Sequence, residues 1–260
     1  MAFDVSVDKG VAEIVLNKPP VNALDSREWA QLAELCSSLG RDERARVVVI
    51  AAEGRGFCAG VDIKELAADP SLITRVNRGC YDAFAAIYAC AVPVICAVHG
   101  FCLGGGIGIA GSSDIVLASD DASFGLPEID RGALGAATHL MRLFGMQKTR
   151  RMLYTGEPIG AEEAYRLGGV ERVLPRAALR GAARELAGTI AAKSPEAVRL
   201  AKQSLNGIEP IDVVKSYRFE QGFTLELYTS PDSQEARDAF LEKRGAKFEG
   251  KRPKGARSEP

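Results

Sequence analysis

Residues 83–111, AFAAIYACAVPVICAVHGFCLGGGIGIAG, carry no charged side chain unless His99 is protonated, and no other part of this 260-residue chain constrains the fold as much. An apolar run longer than about 18 residues has the length of a membrane span. Its punctuation argues against one. Pro93 and the glycines at 100, 104, 105, 106, 108 and 111 would break a spanning helix repeatedly. The pattern predicts instead a buried strand, a glycine turn and the start of a buried helix.

Short apolar runs rich in β-branched residues recur at 47–52 (VVVIAA), 92–98 (VPVICAV), 114–118 (DIVLA) and 170–174 (VERVL). Such runs suit strands buried on both faces. Helical or glycine-rich segments separate them, which predicts a parallel sheet, right-handed crossovers and an α/β class. Val5, Val7, Val11 and Val15 alternate around Asp8-Lys9-Gly10, so a β-hairpin should open the fold. Asp25 or Ser26 can cap a helix with Trp29, Leu32, Leu35, Cys36 and Leu39 on one face, and Gly40 stands where it should stop. From about residue 177 the pattern is helical. One domain is expected, since a single core serves roughly 250 residues.

The 33 Lys and Arg residues offset 34 Asp and Glu, leaving a net charge of −1. No whole-protein field draws in nucleic acid or anionic lipid. The six cysteines (Cys36, Cys58, Cys80, Cys90, Cys96, Cys102) form no Cys-x-x-Cys pair, and MAFDVSVDKG lacks a signal pattern. Free thiols in a reducing cytoplasm are expected, with no metal centre.

Gly106-Ile-Gly-Ile-Ala-Gly111 spells the G-x-G-x-x-G of dinucleotide sites. The spacing rejects that use. The next strand begins within three residues of Gly111, leaving no room for a full helix and an acid about 20 residues on. Glycines also let backbone N–H groups approach a ligand oxygen at a helix N-terminus. The segment GRGFCAGVDIKE at 54–65 has the same form, with Asp62 as a helix cap. Two such turns, each after a buried strand, predict convergence on one carbonyl.

The segments NKPPVNALDS, GRGFCAGVDIKEL, PVICAVHGFCLGGGIGIAGSSDIVLASDDASFGLPEIDRGALG, LYTGEPIGAEEAYRLGGVERVLP and AFLEKRGAKFEGK carry a resemblance to the crotonase superfamily of enoyl-CoA hydratases and isomerases. It covers nearly the whole chain. The resemblance implies a ββα spiral core over 1–195, a helical trimerisation region over 196–250 and assembly as trimers or dimers of trimers. Composition predicts a disordered tail over 251–260. By the same resemblance, the N–H groups of Val61 and Gly105 form an oxyanion hole for an acyl-CoA thioester. The CoA would run along Ala23, Ala59, Asp62, Ile63 and Lys64, with Phe240, Lys243 and Phe248 reaching it from the same or a neighbouring subunit. No cofactor beyond the CoA moiety is implied.

Hydratases of this superfamily use two glutamates, a base for water and an acid for the α-carbon. Here the first position falls on Gly108, and only the second, Glu128, is present. One glutamate suffices for double-bond isomerisation or for activating water against a carbonyl. Within the superfamily the stretch after Glu128, IDRGALGAATHLMRLFG, together with NRGCYDAFAAIYACAVPVI, looks most like ring-opening acyl-CoA hydrolases of steroid degradation, which cleave a cyclic β-diketone. Hydratase-like, carnitinyl-CoA dehydratase-like and isomerase chemistry stay open. So do a non-catalytic CoA-binding scaffold and an RNA-binding role.

In an extended segment Asp130 would share the side of Glu128 and raise its pKa, or it is a surface acid paired with Arg131. Tyr81 and Tyr88 either line the acyl pocket or belong to the core, as does His139 near the shortened loop. His99 is expected to be a core histidine.

Overall fold

The computed structural model describes residues 2–248, so the tail expected over 251–260 lies outside the described residues. Strands β1 (Phe3–Asp8) and β2 (Val11–Leu16) form the expected hairpin, with Lys9 and Gly10 both at positive φ. That is the conformation of a two-residue connection matching strand twist. Helix α1 (Ser26–Arg41) starts at Asp25. Its carboxylate accepts from the N–H groups of Arg27 and Glu28, while Glu28 accepts from the Asp25 N–H. The helix runs through Gly40 rather than stopping there. Gly40 serves packing, because a Cβ would meet the Cys90 sulfur and the Ala91 nitrogen at 3.1 Å.

The chain continues through β3 (Val47–Ala52), α2 (Ile63–Ala68), α3 (Ile73–Tyr88), β4 (Val94–Val98), β5 (Phe101–Leu103) and α4 (Gly105–Ser112). There follow β6 (Ile115–Ser119), β7 (Ser123–Gly125), α5 (Ala137–Thr155), β8 (Ile159–Gly160), α6 (Ala161–Arg166) and β9 (Arg172–Leu174). Helices α7 (Arg176–Ala191), α8 (Pro195–Ile208), α9 (Val213–Tyr228) and α10 (Pro231–Leu241) complete it.

The main sheet has the order β1-β2-β3-β4-β6-β9, and every pair from β2 onward is parallel. All six residues of β3 are buried, as its uninterrupted apolar run requires. Val48 and Ile50 face the large core under α1 and α3, while Val47, Val49 and Ala51 face α7. That helix offers Leu179, Ala183, Ala187 and Ala191 at helical spacing. Its small side chains let it lie close on the sheet.

A second, three-stranded sheet, β5-β7-β8, was not foreseen. Where the sequence pattern suggests one strand leading into the glycine turn, the chain leaves the main sheet at His99-Gly100 and starts again as β5. Strand β5 is held by β7 on one side and by a bridge from Cys102 to Cys58 on the other. This detour brings the second glycine segment beside the first. Residues 83–111 thus spread over the end of α3, two strands and α4, and among the described residues no helix is long and apolar enough to cross a membrane.

Candidate active site

The two glycine segments meet through backbone contacts. Leu103 donates its N–H to the Cys58 carbonyl at 2.9 Å, and a Cβ on Gly60 would lie 2.9 Å from the Gly105 nitrogen. Gly60, at φ +91°, therefore tolerates no side chain. A parallel bridge between Leu24 and Val61 is made through the Leu24 N–H to Gly60 O and the Asp62 N–H to Leu24 O. It leaves the Val61 N–H outside the ladder. Gly105 opens α4, so its N–H has no partner within the helix. Among the described residues neither N–H donates a hydrogen bond, and both residues line the same cavity. Trp29 backs the turn, its ring 2.6 Å from where a Gly105 Cβ would be.

Beside this turn on the same cavity wall stands Glu128, in a 3-10 turn spanning Pro127–Arg131. The residue is only partly buried, but its Oε2 is shielded and has no hydrogen-bond partner among the described residues. Burial pushes its pKa up to about 7, partly offset by a backbone hydrogen bond and the positive charge of Arg131. Its Oε1 sits 2.0 Å from the place of a Gly104 Cβ, so the glycine lets the carboxyl reach the turn. A Cβ on Gly108 would strike the Phe84 ring at 2.0 Å. Phe84 fills the space a second acid would need. Against it pack His139, edge-on with ring centres 4.8 Å apart, and Tyr217, tilted at 5.3 Å.

The structure sorts the remaining expected residues. Val61, Gly105, Ala59, Ile63, Glu128 and Phe240 line the cavity. Asp62 caps α2, accepting from the Lys64 N–H at 3.0 Å. Ala23, Lys64, Lys243 and Phe248 stand off the cavity wall, the last three exposed. Asp130 does not share Glu128's side. A 3-10 turn has about three residues per turn, so two steps carry the side chain away, and Asp130 is exposed with its carboxylate against Gly156. Tyr81 and Tyr88 are not pocket residues. The wall takes Ile73, Val76, Asn77, Cys80 and Phe84 of α3, a helical stripe. Tyr81 lies off this stripe, facing Arg218, and Tyr88 lies a turn beyond the cavity, its hydroxyl donating to the Asn206 carbonyl. His139 stands behind Phe84 and Tyr217 rather than in the pocket. It is fully buried, neither ring nitrogen has a partner among the described residues, and burial pulls its pKa down to about 3. His99 is buried, with Nε2 3.1 Å from the Gly54 carbonyl.

Sequence reasoning missed Arg131, Tyr217, Tyr228 and Arg237, all on the cavity wall. The α3 stripe had a periodic signal, but nothing in the pattern separates Arg131 or Arg237 from surface arginines. Among the described residues no cluster of three or more His, Cys, Asp or Glu side chains can hold a metal, and all six cysteines are free and buried.

Two free backbone donors and one shielded acid on the wall of one cavity can hold an oxyanion and move protons beside it. The chain belongs to the enoyl-CoA hydratase/isomerase family, whose model matches residues 6–251. It is 51% identical over 235 residues to the (7aS)-7a-methyl-1,5-dioxo-2,3,5,6,7,7a-hexahydro-1H-indene-carboxyl-CoA hydrolase of Rhodococcus jostii, covering 90% of this chain and 91% of the relative. To the hydrolase of the same name from Mycobacterium tuberculosis it is 48% identical, covering 91% and 96%. The solved enoyl-CoA hydratase of Mycobacterium smegmatis superposes with a TM-score of 0.78 at 33% identity, covering 95% of this chain and 98% of that one.

Proposed function

We propose that this enzyme opens the ring of a bicyclic, steroid-derived β-diketone carried as its CoA thioester. The observation that carries the reading is the pair Gly108 and Phe84. With the first acid's space filled by an aromatic ring, Glu128 is the one shielded acid beside the glycine turn, while the other carboxylate on the wall, Asp238, accepts from the Gln234 amide on α10. The names of the relatives about half identical to this chain support the same reaction.

In this mechanism the Glu128 carboxylate takes a proton from water as the hydroxide adds to a ring ketone. The bond from that carbon to the carbon between the carbonyls then breaks, and its electron pair becomes an enolate. The N–H groups of Val61 and Gly105 hold the oxygen on which the charge collects. Protonated Glu128 returns its proton to the enolate carbon. A pKa near 7 suits a group that acts first as base and then as acid. Asp130 has no part in this scheme, and the CoA moiety of the substrate is the one cofactor-like group it needs.

The CoA itself is assigned to the cavity edge at Ala59 and Ile63 and the surface beside it at Ala23, Asp62 and Lys64, with Phe240, Lys243 and Phe248 reaching it from this or a neighbouring subunit. The cytoplasm is the compartment that suits six reduced thiols. Assembly as a trimer or dimer of trimers would cover the exposed apolar side chains of α8 and α9, Leu205, Ile208, Phe219 and Phe223 among them.

Incubation with the bicyclic diketone CoA ester and, separately, with crotonyl-CoA tests the reaction by mass and fragmentation. Ring opening adds one water and leaves a new carboxylic acid. Fast hydration of crotonyl-CoA without ring opening would defeat the proposal.

A further inference from the structure

Two guanidinium groups on the cavity wall make no ion pair with a carboxylate among the described residues, although the charge of Arg131 is felt at Glu128. Arg131 ends the turn that carries Glu128 and lies over the Phe240 ring, 4.6 Å from its centre. Arg237 on α10 lies over the Tyr228 ring at 4.1 Å and gives hydrogen bonds to the Ser233 hydroxyl and the Gln234 side-chain amide oxygen Oε1, both neutral. One hydroxyl joins the two positions. Ser233 Oγ accepts from Arg237 and donates to the carbonyl of Gly132, the neighbour of Arg131. The acid beside them on the same wall, Asp238, pairs with neither guanidinium and accepts instead from the Gln234 amide at 2.8 Å.

A guanidinium stacked on an aromatic face keeps N–H groups at its edge free in the ring plane, the arrangement that grips a carboxylate through two parallel hydrogen bonds. Half-buried cations left unpaired are unfavourable unless a ligand supplies the opposite charge. A neutral fatty acyl chain would supply none.

We propose that Arg131 and Arg237 form a carboxylate subsite at the α10 end of the acyl cavity. Resting on the ring-opening reading, the subsite receives the acid group that the reaction creates. Hydroxide adds to the ketone carbon, the C–C bond breaks toward the enolate carbon, and that carbon takes its proton from Glu128. The former ketone carbon is left as a carboxylic acid that loses its proton to solvent. The same subsite predicts tight holding of any acyl-CoA whose far end is a carboxylate of matching reach.

Calorimetric titration with adipyl-CoA and hexanoyl-CoA, chains of equal length with and without a terminal carboxylate, tests this without turnover. The wild-type protein should prefer adipyl-CoA by about tenfold or more, the usual scale for charge-assisted hydrogen bonds. Arg131→Gln and Arg237→Gln should each shrink that ratio toward unity, and Arg131→Lys and Arg237→Lys should restore part of it by keeping the charge. Equal affinities in the wild type, or a ratio untouched in both Gln variants, would overturn the subsite. The ring-opening assay separates the two ideas. An adipyl preference without ring opening overturns the reaction and keeps the subsite, while ring opening without the preference overturns the subsite alone.

Discussion

Glu128 sits where a carboxylate resists ionisation, in a wall whose Oε2 position offers no donor among the described residues. In the proposed mechanism it is the base and must be ionised before turnover, so kcat/KM should rise with pH through about 7. Glu128→Gln should lower turnover by roughly two to four orders of magnitude, the usual scale for a proton-transfer group. The same shift makes a stability statement. Its folded pKa of about 7 lies above the ordinary value of 4.5, so between these the folded state keeps a proton that the unfolded chain has released. Stability from this group is complete below pH 4.5 and lost as pH rises through about 7. Glu128→Gln should therefore unfold later than wild type near pH 8, by up to about 3 kcal/mol, with the gap closing in acid. Thermal melts at both pH values read it. Gly108 makes the complementary case. Gly108→Ala should cost about 1–3 kcal/mol through overpacking against Phe84. Paired with Phe84→Ala, the combined loss in denaturant melts should be smaller than the sum of the single losses.

At the scale of elements, α10 is the wall most open to change. It is docked on the Glu128 turn through Ser233 and Gly132, where a Cβ on Gly132 would meet the Ser233 carbonyl at 2.4 Å and φ is +66°. Gly132→Ala should push α10 outward. The expected result is faster amide exchange across residues 231–241 and a raised KM, with kcat falling too because Gly132 caps the turn that carries Glu128. Equal exchange in variant and wild type would mean that the contact does not hold the helix. The glycine turn behaves differently, since β5, β7 and the Cys58 bridge brace it from both sides. A braced donor pair beside a dockable wall would let the cavity admit a substrate without disturbing the oxyanion contacts of the proposed mechanism.

For the whole molecule, the helices of the C-terminal third leave apolar side chains in solvent. Phe219 and Phe223 stack edgewise at 5.2 Å while 74% and 48% exposed, and Leu205 and Ile208 are exposed on α8. Burying a large apolar side chain gains roughly 1.5–3 kcal/mol, so several together are strong drivers of association. Light scattering should report a trimer or larger assembly, and Phe219→Asp with Leu205→Asp should lower the measured mass. An unchanged mass in the double variant would mean that this face is not an interface.

The sequence by itself determined the strands of the main sheet, the longer helices and the acid at Glu128. Unbroken β-branched runs such as 47–52 can be buried on both faces only inside a parallel sheet, and a missing side chain at Gly108 is legible without coordinates. Asp25 and Asp62 announced helix starts because caps act over three residues. What lay beyond local pattern was decided by tertiary structure. The short strands β5, β7 and β8 carry no periodic signal of their own and exist through pairing with distant segments. Asp130 left the site because Pro127–Arg131 coils into a 3-10 turn. Tyr88 and His139 left it because the cavity ends where Phe84 and Tyr217 close it. Arg131 and Arg237 entered it for the opposite reason. A long charged side chain looks alike in sequence whether it meets water or a cavity, and the docking of α10 against the Glu128 turn made the choice.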